Sequence, residues 1–440
     1  MNRYLITLLI LLLAGCTSKY EKLYNQKPAF YAYVAGNVNS NNLSEAHNAK
    51  VYATPASCQK VITTLIALKA LGPEYKYITE ASVINKNGKI HDLIIKFSGD
   101  PTLTSDKLFN LLQSLKNIKI SGDIILDSSF FKTSPYSHNL MLDDIGTAYA
   151  TPVSAINIDK NLISVKISPK KPGELAVILA DSGYKIKSDV ITNNEKTAVK
   201  LTWVDGSIHV KGNINSADPL LELKISPVNH DEYIMNKLRF ILSALNIKGR
   251  VKILKNKDLN YKLYEYINRI ESAPIEEIIK PALKISDNLI FDSIYLTLIH
   301  AYSDAEIKDW EQGSDIMKNL INKYFAIDTD SALFVDGSGL SRYNRVQPEI
   351  LLSLLKKGFD MPEFVDALAI PGEGNSTLKN RITLPNTIKA KTGNMSGISC
   401  LCGYSFRKNN TKAFVFMSSS FAPPSKELFE VMDNFVRKNS

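Results

Sequence analysis

The stretch TPASCQK at residues 54–60 constrains this chain more than any other, because it sets a serine and a lysine at the start of a well-marked helix. Thr54 is placed to cap that helix, and Pro55 suits its first turn. Val61, Leu65 and Leu68 then form an apolar stripe, and Gly72-Pro73 ends it. Ser57 and Lys60 fall one turn apart on the same helix face. A lysine that has lost its proton can take the proton of a serine hydroxyl, and the helix dipole favours negative charge at this end. Spacing alone selects nothing, since Ser-x-x-Lys occurs seven times in the chain. The matches at Ser129, Ser168, Ser182, Ser353, Ser376 and Ser405 lack the helix start that Ser57 has.

Two apolar runs, AFYAYVAG and AKVYAT, precede the helix and read as a strand pair feeding it. From about residue 81 to 265 the texture changes to short β-like runs between Gly, Asn, Asp and Lys turns, such as DLIIKFSG, GDIILDSS, LISVKIS and SIHVKGNI. One helix, over about 230–246, closes this region, and 266–326 is helical in pattern. TIKAKTG, ISCLCGYSF and TKAFVFMSSS then alternate as three strands, followed by an amphipathic helix, SKELFEVMDNFVRK. The pattern predicts an α+β fold, an antiparallel sheet covered by helices, with 81–265 forming two small β-rich domains.

Two more polar motifs fall on suitable elements. Ser286-Asp287-Asn288 lies on the helical part, and Lys391-Thr392-Gly393 lies at a strand end. Ser-x-x-Lys, Ser-Asp-Asn and Lys-Thr-Gly in this order form the signature set of penicillin-recognising serine acyl enzymes. With them stand GDPTL at 99–103, GDIILDSSFF at 122–131, YATPVSAINIDKN at 149–161, DGSGLSRYNRV at 336–346 and AKTG…GISCLCGYS. On these residues the chain resembles, over about 30–420, the class C penicillin-binding proteins, D-alanyl-D-alanine carboxypeptidase/endopeptidases of the penicillin-binding protein 4 type. The long gap between Ser57 and Ser286 matches that family's inserted domains. The resemblance implies a serine β-lactamase/DD-peptidase-like transpeptidase domain over 30–80 and 266–440, interrupted by the insertion at 81–265.

It also implies roles. Ser57 is the expected nucleophile, Lys60 its base, Ser286 the relay toward the leaving amine, and Lys391 the cation that biases this network. Asn288 is expected to bond the substrate amide and Thr392 the terminal carboxylate, with Gly393 completing the motif. The backbone N–H groups of Ser57 and Asn394 are expected to form the oxyanion hole. Asn394 stands where the family usually has a small hydroxyl residue, and the Gly-rich loop PGEGNSTL carries one extra residue. Asp144, five residues before Tyr149, occupies the place of an acid that in this family binds the free amine of diaminopimelate. The expected partners are peptidoglycan stem peptides, with β-lactams as covalent inhibitors; no cofactor or metal is expected. Two other functions share these motifs or this fold, a β-lactamase with fast deacylation and a catalytically silent wall-binding scaffold. The large insertion argues against the first, and the complete motifs argue against the second.

The N-terminus, MNRYLITLLILLLAGC, has an early arginine, an apolar run too short to span a bilayer comfortably, and Leu13-Ala14-Gly15-Cys16, which resembles a bacterial lipobox. Residues 1–15 are thus expected to be a lipoprotein signal and 16–29 a tether, with lipidated Cys16 holding the exported, periplasmic protein to the membrane. Thr17, not being Asp, favours the outer membrane. The net charge of +9 comes from lysines scattered between apolar positions, with no zinc finger or arginine-rich arm, so no nucleic-acid partner is expected. Of the remaining cysteines, Cys400 and Cys402 point to one strand face and suit each other poorly as disulfide partners; the sequence leaves open a bridge from Cys58 to one of them, and buried free thiols at Cys58, Cys400 and Cys402 are the expected state.

Overall fold

Alternation at every second residue decides the central sheet. In the strand Lys412–Ser419, Ala413, Val415 and Met417 join one buried cluster while Phe414 and Phe416 join another. The computed structural model describes residues 30–181, 183–255, 259–304, 309–329, 331–381, 384–408, 410–419 and 426–440; Cys16 and the expected signal and tether lie outside them. Five antiparallel strands lie side by side in the order Ile388–Met395, Ile398–Ser405, Lys412–Ser419, Phe30–Asn37 and Leu43–His47. One face, with Tyr31, Tyr33, Phe414 and Phe416, packs on Leu428, Met432 and Phe435 of the helix Lys426–Lys438. Its rings meet closely, with Tyr33 and Phe435 centroids 5.0 Å apart. The other face carries the helices Gln59–Ala70 and Pro348–Gly358. None of the helices among the described residues is long and apolar enough to cross a membrane.

The helix Gln59–Ala70 is more enclosed than an apolar stripe suggests, since every residue from Gln59 to Leu68 is buried. Its threonines find partners there: Thr63 Oγ1 donates to the Gly337 carbonyl at 2.8 Å and Thr64 Oγ1 to the Lys60 carbonyl at 2.7 Å. Lys60 is therefore held in a packed helix between the central sheet and the helices Ile275–Ile285, Asn288–Tyr302 and Gly313–Phe325.

Between the two halves of this unit lies a mixed five-stranded sheet ordered Lys248–Leu254, Lys119–Asp127, Lys89–Lys96, Ile78–Lys86 and Glu265–Glu271. Its first two pairings are parallel and its last two antiparallel. Two smaller sheets follow, one of Leu221–Ile225, Ile163–Ser168 and Val177–Ala180, the other built on Ala198–Val204 and Ser207–Asn215.

Several expectations need correction. The boundaries at 80/81 and 265/266 cut through Ile78–Lys86 and Glu265–Glu271, which pair with each other, Glu80 facing Arg269. The chain enters and leaves the insertion along adjacent strands, so the change of texture near 81 and 265 falls inside paired strands and does not mark the crossing. The second strand is Leu43–His47, not AKVYAT: it is a polar edge strand with little to bury, whereas Asn48 turns the chain at φ 49° and of the later run Ala53 forms an isolated bridge, to Val346. The insertion also holds a helix, Ser105–Leu112, capped by the Thr104 side chain.

Candidate active site

Ser57 does not sit in the α-helix itself. A short 3-10 turn, Ala56–Cys58, precedes the helix, and Ala56 takes a left-handed φ of 46°. Thr54 does not cap, because its hydroxyl donates to the Arg342 carbonyl at 3.3 Å. The turn lifts Ser57 half out of the core, and two glycines crowd against it. A Cβ on Gly339 (φ 79°) would overlap the Ala56 carbonyl, and one on Gly393 would lie 2.7 Å from the Pro55 oxygen and 2.9 Å from the Ser57 nitrogen. The Lys-Thr-Gly strand and the 336–341 loop can thus close on the serine from both sides.

Lys60 has three partners, and their chemistry differs. Its Nζ lies 2.7 Å from Asn288 Oδ1 and 2.5 Å from the Ser338 carbonyl, both acceptors, and 2.9 Å from Ser57 Oγ. A neutral amine has two N–H bonds and one lone pair. The two acceptors take the N–H bonds, which leaves the lone pair for the Ser57 hydroxyl. Burial, followed by the nearby charge of Lys391, brings Lys60 down to about 7, so the neutral form is accessible near neutral pH. Two buried acids build the loop that supplies Ser338. Asp292 accepts from the N–H groups of Gly337 and Ser338, and Asp336 from those of Gly339 and Ser341. Burial, then the neighbouring Asp336, pushes Asp292 up to about 8.

The Ser-Asp-Asn motif is the junction of two helices. Ser286 ends Ile275–Ile285 in the left-handed region at φ 65°, and Asp287 caps Asn288–Tyr302 by accepting from the Ile290 N–H. The junction turns Ser286 toward Lys391, whose Nζ is 2.9 Å from Ser286 Oγ and 2.6 Å from the Thr392 carbonyl. Burial holds Lys391 down to about 8. Lys391 lies in mid-strand, within Ile388–Met395, and not at a strand end as expected, because the strand runs on past Gly393 to pair Met395 with Ile398. Thr392 Oγ1 donates to Thr377 Oγ1 at 2.7 Å, which ties the Gly-rich loop to the motif. Asn394 is exposed and accepts from Ser399 Oγ at 2.7 Å.

A cleft of about 360 Å³ brings Ser57, Ser286, Asn288 and Asn394 together with Asp144 and Tyr149 of the insertion. Tyr149 OH donates to Asp144 Oδ1 at 2.6 Å, and the Tyr149 carbonyl accepts from Asn288 Nδ2 at 2.8 Å, which directs Oδ1 of that amide to Lys60. Arg342 lines the same cleft and donates to the Ser396 carbonyl at 3.0 Å. Sequence reasoning missed Arg342, Asp292 and the Ser338 carbonyl as site groups, although DGSGLSRYNRV was one of the stretches that carried the resemblance. Cys58, Cys400 and Cys402 are buried free thiols, and Cys58 Sγ lies 3.4 Å from the Lys391 carbonyl.

The sequence profile of the D-Ala-D-Ala carboxypeptidase 3 (S13) family matches residues 18–439. The chain belongs to that family. It is 28% identical over 410 residues to the D-alanyl-D-alanine carboxypeptidase DacB of Haemophilus influenzae, covering 87% of this chain and 84% of the relative. The crystal structure of penicillin binding protein 4 (dacB) from Haemophilus influenzae superposes with a TM-score of 0.82 at 26% identity, covering 96% of this chain and 99% of that one. The same protein complexed with a β-lactam gives a TM-score of 0.78 at 25% identity, covering 96% and 99%. The enzyme class is that of a serine-type D-Ala-D-Ala carboxypeptidase, a hydrolase, and the fold is the expected α+β fold of the penicillin-binding protein 4 type.

Proposed function

We propose that this family member cleaves the bond after a D-alanine in peptidoglycan stem peptides through a Ser57 acyl-enzyme, as carboxypeptidase and as endopeptidase. The environment of Lys60 carries the reading: a buried amine held down to about 7, its N–H bonds taken by Asn288 and Ser338, 2.9 Å from Ser57 Oγ. Ser57 Oγ attacks the carbonyl carbon while its proton passes to Lys60 Nζ. The carbonyl oxygen gains negative charge facing the N–H groups of Ser57 and Asn394. The C–N bond then breaks, and the proton taken up by Lys60 is relayed through the Ser286 hydroxyl, biased by Lys391, to the departing amine, which leaves Ser286 protonated and Lys60 neutral again. Water, deprotonated by the same base, releases the acyl group and restores Ser57. A β-lactam acylates Ser57 by the same attack, but its amine stays tethered, so the adduct persists.

Asp144 and Arg342 place opposite charges in one cleft. The diaminopimelate side chain ends in an ammonium and a carboxylate, so its amine faces Asp144 and its carboxylate faces Arg342. Cys16 carries lipid in this reading and anchors an exported protein at the periplasmic face of the outer membrane. A Cys16→Ala chain should appear as an unprocessed or soluble exported form. A wild-type protein that fractionates as soluble and carries no acyl mass removes the anchor from the reading.

Digestion of purified cross-linked peptidoglycan, with products identified by mass, tests the activity. Loss of terminal D-alanine and opening of cross-links are both expected, and neither should occur with Ser57→Ala. Intact cross-links alongside D-alanine release would remove the endopeptidase half.

A further inference from the structure

The insertion meets the Ser-Asp-Asn junction at a second point, through an unusual turn. Asp159, Lys160 and Asn161 have φ values of 49°, 59° and 53°, so three successive non-glycine residues are left-handed. L-residues avoid this conformation, and it persists only where neighbours enforce it. The Asp159 carboxylate accepts from the Ser105 N–H at 2.9 Å and pairs with Lys237 at 2.9 Å. Asn161 is buried, donating to the Pro152 carbonyl and to Asn157 Oδ1, both at 2.8 Å, and accepting from the Ile158 N–H. Lys160 stands between these two anchors, and its Nζ lies 2.6 Å from Asp287 Oδ2. The Asp287 side chain is only 11% exposed, and its other oxygen caps the following helix. A lysine that merely solvates a surface needs no such turn.

We propose that Lys160 is a positioning residue of the acyl-transfer site: the left-handed turn holds its ammonium against Asp287, and this pair fixes Ser286 against Lys391 and Asn288 against Lys60. The proposal rests on the Ser57 acyl-enzyme reading. It has an electrostatic consequence, because the Asp287 carboxylate favours the charged form of Lys60 and Lys160 offsets it. The other groups facing Lys60 are Ser57 and the Cys58 thiol on its own turn, Asn288 and Asp292 on the next helix, Asp336 and the Ser338 carbonyl on the loop, and Lys391 on the strand. None of their charges is altered when Lys160 is replaced. Without Lys160, Asp287 is uncompensated, Lys60 holds its proton to higher pH, and the acid limb of the acylation rate moves up.

The test measures the rate of acylation by fluorescent penicillin against pH, with thermal melting, on the whole mature chain. Lys160→Gln should acylate about fivefold more slowly at neutral pH, in keeping with a partly exposed pair. Its acid limb should rise by roughly half a pH unit. Lys160→Arg should stay within about twofold of wild type, since it restores the charge. Asp287→Asn should move the limb the opposite way, and the double variant should return it toward wild type. A wild-type rate and limb in Lys160→Gln overturns the proposal. So does a slower rate with an unmoved limb and no rescue by arginine, which marks a purely structural role. Should Lys160→Gln fail to melt cooperatively, Asp287→Asn decides, and an unmoved limb there overturns it. Label that survives in Ser57→Ala would instead overturn the acyl-enzyme reading itself.

Discussion

Gly393→Ala is the sharpest geometric perturbation of the site. The added methyl would lie 2.7 Å from the Pro55 oxygen, 2.9 Å from the Ser57 nitrogen and 3.0 Å from the Cys58 nitrogen, where ordinary contact begins at 3.4 Å. All three neighbours are backbone atoms, so no flexible side-chain end can yield. Either the strand Ile388–Met395 retreats, taking Lys391 and Thr392 with it, or the 3-10 turn retreats with Ser57. Both movements amount to about half an ångström or more at a reacting group, and misplacement on the 1 Å scale lowers rates by about a hundredfold. Acylation by fluorescent penicillin should therefore slow by about ten- to a hundredfold, while overpacking destabilises the fold by about 1–3 kcal/mol and lowers Tm by a few degrees. Stopped-flow acylation and thermal melting on the same preparation separate the two effects. A variant that melts lower but acylates at the wild-type rate would refute the claim that Gly393 sets the approach of strand to nucleophile.

Two further outcomes follow from the same geometry. Acylation should be bell-shaped in pH, because Lys60 must be neutral, so the rate rises through about 7, and Lys391 must be charged, so it falls above about 8. These limbs belong to the interacting pair, and a rate flat across the neutral range would contradict a lysine base. Asp144→Ala should lower kcat/KM on peptides with a free diaminopimelate amine by about ten- to a hundredfold, the worth of a charge-assisted hydrogen bond of roughly 1.5–3 kcal/mol. Amine-acetylated peptides and penicillin should be nearly unaffected; an equal loss on both peptides would show that Asp144 does not read the amine.

What the sequence made legible was local. Ser57 and Lys60 are three residues apart, Ser286 to Asn288 are contiguous, and the runs AFYAYVAG, TIKAKTG, ISCLCGYSF and TKAFVFMSSS read as strands, so these elements and the motif residues could be placed without coordinates. What escaped depends on contacts between distant segments. The Ser338 carbonyl reaches Lys60 across the fold, and a backbone oxygen leaves no trace in residue identity. Asp292 and Asp336 look like ordinary acids in the sequence, and only burial reveals that they hold a loop. The strand Leu43–His47 escaped for the opposite reason: an exposed edge needs no apolar alternation, so its residues carry no strand signal. Asp144 shows the middle case. The family resemblance suggested a role for it, and the structure puts it in the same cleft as Ser57 and Arg342.

The central claim is that one serine, activated by one neutral lysine, forms the acyl-enzyme. Intact mass after incubation with benzylpenicillin, followed by peptide mapping, tests it most directly. A single long-lived adduct should map to the peptide containing Ser57, and Ser57→Ala should show no added mass while melting like wild type. An adduct on any other residue, or one that persists in Ser57→Ala, contradicts the claim.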